Sequence, residues 1–194
     1  MSIRRGLPAL AALLILVALL VASCGGSSSS GAGKSSTGVD PNAAEVSPAG
    51  DIPDNQVFVP YRAPGTDFSV KVPEGWARAT AGGAVTFSDK LNSIRIQQRQ
   101  AGSAPTPAQV KASAAGLRGV QVETVQRKAG EAIRVKYLAA AKRDPVTGKK
   151  GTDAVERYLF FHNGRVAELT LSGPKGADNV DPWRIVSDSL RWVA

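Results

Sequence analysis

Asp153-Ala-Val-Glu-Arg-Tyr-Leu-Phe-Phe-His162, then Asn163-Gly164, then Arg165-Val-Ala-Glu-Leu-Thr-Leu-Ser172 is the stretch that decides the fold. An Asn-Gly pair between two apolar runs signals a two-residue type I′ turn, because both turn positions need positive φ. That turn sets a register in which Phe161 faces Val166 and Phe160 faces Ala167. One face of the hairpin then carries Tyr158, Phe160, Ala167, Leu169 and Leu171, and the other carries Leu159, Phe161 and Val166. A hairpin apolar on both faces must be covered on both, which predicts a central place in its sheet.

The flanking segments extend the sheet. Phe68-Ser-Val-Lys-Val-Pro73 alternates as a half-buried strand, and Pro73-Glu-Gly-Trp76 reads as a turn. Ala84–Ser88 and Ser93–Gln97 are two more short strands. In the second, Ile94 and Ile96 face away from Arg95, Gln97 and Arg99. Thr106-Pro107-Ala108-Gln109 combines an N-cap, a proline at the first helical position and a capping-box glutamine, so a helix is predicted to about Leu117. It is rich in alanine and can lie close to a sheet. Val120–Lys128 and Glu131–Lys142 are further strands, followed by a loop over Asp144–Gly151. Asp181-Pro182 supplies cap and first position of a last helix, with Trp183, Val186 and Leu190 on one face and Ile185 and Trp192 beside it. The fold class expected is α+β, a mainly antiparallel sheet flanked by helices, with no βαβ repeat.

This domain occupies 51–194. Ahead of it, Met1–Arg5 is a positively charged start, and Ala9–Ala22 is an unbroken apolar run of 14 residues. A membrane span needs about 20 such residues, so the run reads as the core of an export signal over 1–23. Val21-Ala22-Ser23-Cys24 resembles a bacterial lipobox. That resemblance implies a diacylglycerol on the Cys24 sulfur, cleavage before Cys24, and a chain anchored in the cell membrane on its extracytoplasmic face. Two or three acyl chains on one residue hold a protein in a bilayer where one is marginal. Residues 24–50 carry a Gly/Ser-rich linker, a flexible spacer of roughly 25–30 Å typical reach. Cys24 is the only cysteine, so the domain is built without disulfides.

With its elements placed, the domain resembles the PsbP-like fold, an α/β/α sandwich. The residues carrying the resemblance are Phe68-x-Val70-x-Val72-Pro73-x-Gly75-Trp76, Val85-x-Phe87-x-Asp89, Tyr158–Phe161, Gly164-Arg165, Leu169-Thr-Leu171, Pro174 and Ile185–Trp192. These are core and turn positions. The resemblance implies a binding or assembly role and transfers no site residue.

The formal charge is +8, and removal of Arg4 and Arg5 with the signal leaves 22 Lys and Arg against 16 Asp and Glu, or +6. That favours anionic lipid headgroups or acidic wall polymers as contacts. Nucleic acid is not expected for an exported chain. Arg95, Arg99, Arg134 and Lys136 lie on polar strand faces, and Lys149-Lys150 tip a hairpin. If the strands are neighbours these six form a basic surface; otherwise they are a solvated face or helix–sheet ion pairs.

Catalytic chemistry is thin. His162 is the only histidine; Ser172 or Asp153 could accompany it as a hydrolase constellation, but no Gly-x-Ser-x-Gly elbow is present, and a polar strand end is the plainer reading. One histidine and an acylated cysteine do not make a zinc site, so neither metal nor cofactor is expected. Glu74, Asp89, Glu123, Glu131, Asp153, Glu156 and Glu168 are scattered, with no legible acid pair. Gly82-Gly83 and Gly173–Gly176 are turn chemistry. Trp76, Trp183 and Trp192 either line a ligand groove or anchor the core. The leading expectation is a non-enzymatic, tethered module that binds an envelope protein. Its alternative is a module holding a lipid or other amphiphile in a pocket between sheet and helix.

Overall fold

The Asn163-Gly164 turn adopts φ of 45° and 74°, as a type I′ hairpin requires. The computed structural model describes residues 49–143 and 148–193, all within Ala44–Ala194, the second of two units into which the chain divides. The signal, Cys24 and all of the linker except Ala49 and Gly50 lie outside the described residues, as do positions 144–147 of the expected loop.

The hairpin consists of β8 (Lys150–His162) and β9 (Arg165–Pro174), with Phe161 opposite Val166 and Phe160 opposite Ala167. Its neighbours are β3 (Ala77–Ala81), β4 (Ala84–Asp89), β5 (Asn92–Gln100), β6 (Arg118–Arg127) and β7 (Gly130–Arg143). Together they form an antiparallel sheet of order β3-β4-β5-β9-β8-β7-β6, which puts β9 in the middle. A smaller sheet of order β1-β2-β10 joins β1 (Phe58–Tyr61), β2 (Phe68–Pro73) and β10 (Arg191–Trp192). The helices are α1 (Pro107–Ser113) and α2 (Val180–Asp188). This is the α+β class expected.

The two apolar faces lead to two cores. On the first face Tyr158, Phe160, Leu169 and Leu171 join Ile94, Ile96 and Phe87, and are closed by Phe68, Val70 and Val72 of β2 with Trp183, Val186 and Leu190. On the second, Ile133, Val135, Leu159 and Val166 meet Val110 and Ala114 at α1. Leu169 and Leu171 at the centre are 0% exposed, and burial of each such side chain contributes about 1.5–3 kcal/mol.

Three local expectations are corrected, and two strands were missed. The last helix ends at Asp188, so Trp192 stands on β10 and not on the helix. Its cap position is Asn179, not Asp181. Helix α1 stops at Ser113 rather than Leu117, although its capping box forms: Gln109 N donates to Thr106 Oγ1 at 3.2 Å and Thr106 N to Gln109 Oε1 at 2.9 Å. Strands β1 and β3 were not legible, because β1 contains Pro60 and β3 is a wholly exposed Ala-Arg-Ala-Thr-Ala edge without apolar alternation.

The Asn179 side chain serves the chain's N-terminal approach instead of the helix. It accepts from Ile52 N at 2.8 Å and donates to Gly50 O at 3.0 Å and Asn92 Oδ1 at 3.1 Å. Asn92 donates to the same Gly50 carbonyl at 2.9 Å. This buried clasp fixes where the chain enters the domain.

Candidate functional site: a cationic cleft

Alternation in β2 sends Phe68, Val70 and Val72 into the core and leaves Ser69 and Lys71 on the outside. Beside that outer row, α2 ends and β10 begins. The Ser189 hydroxyl accepts from Lys71 N at 2.7 Å and donates to Val186 O at 2.6 Å, tying helix end to strand. Arg191 Nη1 donates to the carbonyls of Asp188 (3.2 Å) and Leu190 (2.9 Å), a cation placed on the negative end of the helix.

These elements, with Lys128 from the β6–β7 turn, enclose a cleft of about 680 Å³. Lys71, Lys128, Arg184 and Arg191 line it, with Ile185 and Val70 as apolar contacts. Its one acidic liner is Asp188, which already pairs with Arg127 at 3.7 Å. Arg184 also holds Asp181 at 2.9 Å, an exposed pair of small energetic weight. The cleft is therefore net positive and can hold an anionic group against several cations at once.

Next to it lies a polar network on the first face of the sheet. Arg127 Nη2 donates to the Tyr158 hydroxyl at 3.1 Å, and that hydroxyl donates to Glu156 Oε2 at 2.5 Å. Burial first, and the bond to Glu156 second, push the Tyr158 phenol above its ordinary range. Arg134 donates to Glu123 at 2.8 and 3.0 Å and lies 3.9 Å from Glu156, and Lys136 lies 3.6 Å from Glu156. Burial opposes the charge on Arg134, but bonds with Tyr158 and Glu123 outweigh it and raise that group overall.

The six basic residues read from the sequence do not make one surface. Strands β5 and β7 are separated by β9 and β8. The register also puts Arg95 and Arg99 on the second face of the sheet, and Arg134 and Lys136 on the first. Arg134 and Lys136 are engaged with carboxylates, while Lys149 and Lys150 sit apart where β8 starts. The cations that do converge, Lys71, Lys128, Arg184 and Arg191, were missed. Lys71 alone had a signal, as an outward position of an alternating strand. Pairing of β2 with β10 across the whole domain has none.

The hydrolase constellation is not assembled. Ser172 Oγ donates to Asp153 Oδ2 at 3.0 Å. His162 is exposed and stacks on Trp192, ring centroids 5.0 Å apart, beside the Asp67–Arg165 ion pair. His162 faces Arg165 and Ser172 faces Val155, so seven residues of strand, roughly 23 Å, separate histidine from serine. Trp183 is buried in the core, and Trp76 and Trp192 pack partly buried against it while each also lines a surface cleft.

No family model and no curated protein matches the chain. Among solved structures it is similar to a Bacteroides thetaiotaomicron protein at 16% identity and TM-score 0.49, covering 70% of this chain but only 48% of that one, so it spans about half of that protein. It is similar to cyanobacterial PsbP (CyanoP) from Synechocystis at 13% identity and TM-score 0.45, covering 74% of this chain and 98% of that one. A third is LpqN of Mycobacterium tuberculosis, described as involved in cell envelope biogenesis, at 16% identity and TM-score 0.39, with 73% and 93% covered. None of these likenesses carries an activity, ligand or partner to this chain; the fold class rests on its strand topology.

Proposed function

We propose that the chain is a non-enzymatic cell-envelope lipoprotein, anchored through Cys24, whose domain binds an acidic segment of an envelope protein in the cationic cleft. The observation that carries this reading is the convergence of Lys71, Lys128, Arg184 and Arg191 on one cleft whose only carboxylate is held by Arg127. Its concave shape and the apolar contact at Ile185 suit an extended segment with alternating acidic and apolar side chains better than a flat headgroup layer. The amphiphile reading is supported less well, because on the α2 side the space against the sheet is filled by Trp183, Val186, Leu190, Phe68 and Phe160 and the cleft on the α1 side is lined by Arg99, Arg157 and Glu168.

The test is a photoreactive residue at Ser69, cross-linked in intact envelopes. The expected result is a discrete protein adduct that the Lys71→Glu/Lys128→Glu double variant loses. An adduct indifferent to that reversal overturns the reading. So does binding to anionic vesicles by a Cys24→Ser chain that accounts for all retention.

A further inference from the structure

The second face of the sheet carries a separate cleft of about 490 Å³, between β5, β9 and β8 and the segment 101–113 that includes α1. Three charged side chains line it, Glu168 of β9, Arg157 of β8 and Arg99 of β5. Glu168 is only 8% exposed. Neither Glu168 nor Arg157 has a side-chain hydrogen bond or ion pair to a described residue, and Arg157 Nε is buried without a partner. In the register they are diagonal neighbours. Glu168 lies directly opposite Gln97 and Leu159, so Arg99 and Arg157 occupy diagonals on either side of it. Diagonal positions in an antiparallel pair are about 7–8 Å apart.

The Glu168 side chain is mostly buried but its carboxylate oxygens still reach the cleft, where a cation can meet them, and the buried Arg157 Nε lacks an acceptor. An amine alone would leave the guanidinium unmet, and an anion alone would leave Glu168 unmet. A ligand with both charges meets both. In a dipeptide the α-carbons are about 3.8 Å apart and the terminal charges lie on the order of 5 Å apart or more, so one molecule can reach two side chains on neighbouring strands. Val110 and Leu159 on the cleft wall offer contact to small apolar side chains.

We propose that this cleft binds a small zwitterion of the dipeptide class, with its ammonium on Glu168 and its carboxylate on Arg157, Arg99 standing at the rim. The site is independent of the cationic cleft.

Calorimetric titration of the purified full-length chain with L-alanyl-L-alanine, its N-acetyl form and its C-terminal amide tests it. The free dipeptide is expected to bind, and each capped form to bind at least tenfold more weakly. Glu168→Gln and Arg157→Gln each lose at least tenfold, Glu168→Gln without a fall in Tm, because its carboxylate has no partner among the described residues to lose. Lys71→Glu/Lys128→Glu leaves binding unchanged, which separates this site from the other. Absence of binding up to millimolar dipeptide overturns the proposal. Equal binding of the capped forms, or a lower Tm for Glu168→Gln, does the same.

Discussion

Tyr158 gives its phenolic proton to Glu156 across 2.5 Å while Arg127 donates to the same oxygen at 3.1 Å. One hydroxyl thus joins an acid on its own strand to the guanidinium that holds the end of α2. Because burial and Glu156 raise its folded-state pKa above the unfolded value of 10.0, the neutral phenol stabilises the fold. That contribution is complete below about pH 10 and is lost as pH rises through the folded value. Tyr158→Phe is expected to lower stability by about 1–3 kcal/mol at neutral pH by removing the hydrogen bond that each of these two charged partners makes to the hydroxyl. It should also show a smaller further loss than the parent between about pH 8 and about pH 11. Urea unfolding at both pH values checks this; equal alkaline losses would refute it.

A Cβ on Gly173 would stand 2.3 Å from Asn92 Oδ1 and 2.8 Å from Asn179 Nδ2. Both atoms are engaged in the clasp on Gly50 and Ile52, so neither side chain can swing away freely. Gly173→Ala is expected to cost about 1–3 kcal/mol, as does Asn179→Ala, which strands the Ile52 amide. Limited proteolysis should then cut ahead of β1 in both variants while the sheet persists.

Thr106→Ala removes the cap of a seven-residue helix. A loss of about 0.5–2 kcal/mol is expected, read as a lower denaturation midpoint at unchanged slope. Faster amide exchange should be confined to α1 and the second core.

Cys24→Ser is expected to release the chain from the membrane fraction and abolish incorporation of labelled fatty acid, because the lipid is the anchor that the lipobox resemblance implies. Retention of the variant in membranes would show that something else holds it.

The sheet was legible where local chemistry fixes geometry. Asn163-Gly164 set a register that holds through the whole β8–β9 pair, and the two-faced apolar pattern placed it at the centre. Thr106–Gln109 gave the helix start for the same reason. Legibility failed where residues act on distant partners. Asn179 occupies a cap position but spends its amide on Gly50, 129 positions earlier. Lys71 and Arg191 reach one cleft only because β10 pairs with β2. Of the basic residues named from the sequence, Arg99 alone lines one of these two clefts, and that is the zwitterion cleft on the second face.

The clasp on Gly50 gains a different meaning when the chain is under tension. If the domain is held at a membrane through Cys24 and grips a partner, as proposed, the pull enters it through residue 50. There Asn92, at the start of β5, and Asn179 hold the Gly50 carbonyl, and Asp51 accepts from Asp178 N at 2.9 Å. A pull on that side would therefore be shared at once between α2 and β5, the two elements that Asn179 and Asn92 join at Gly50.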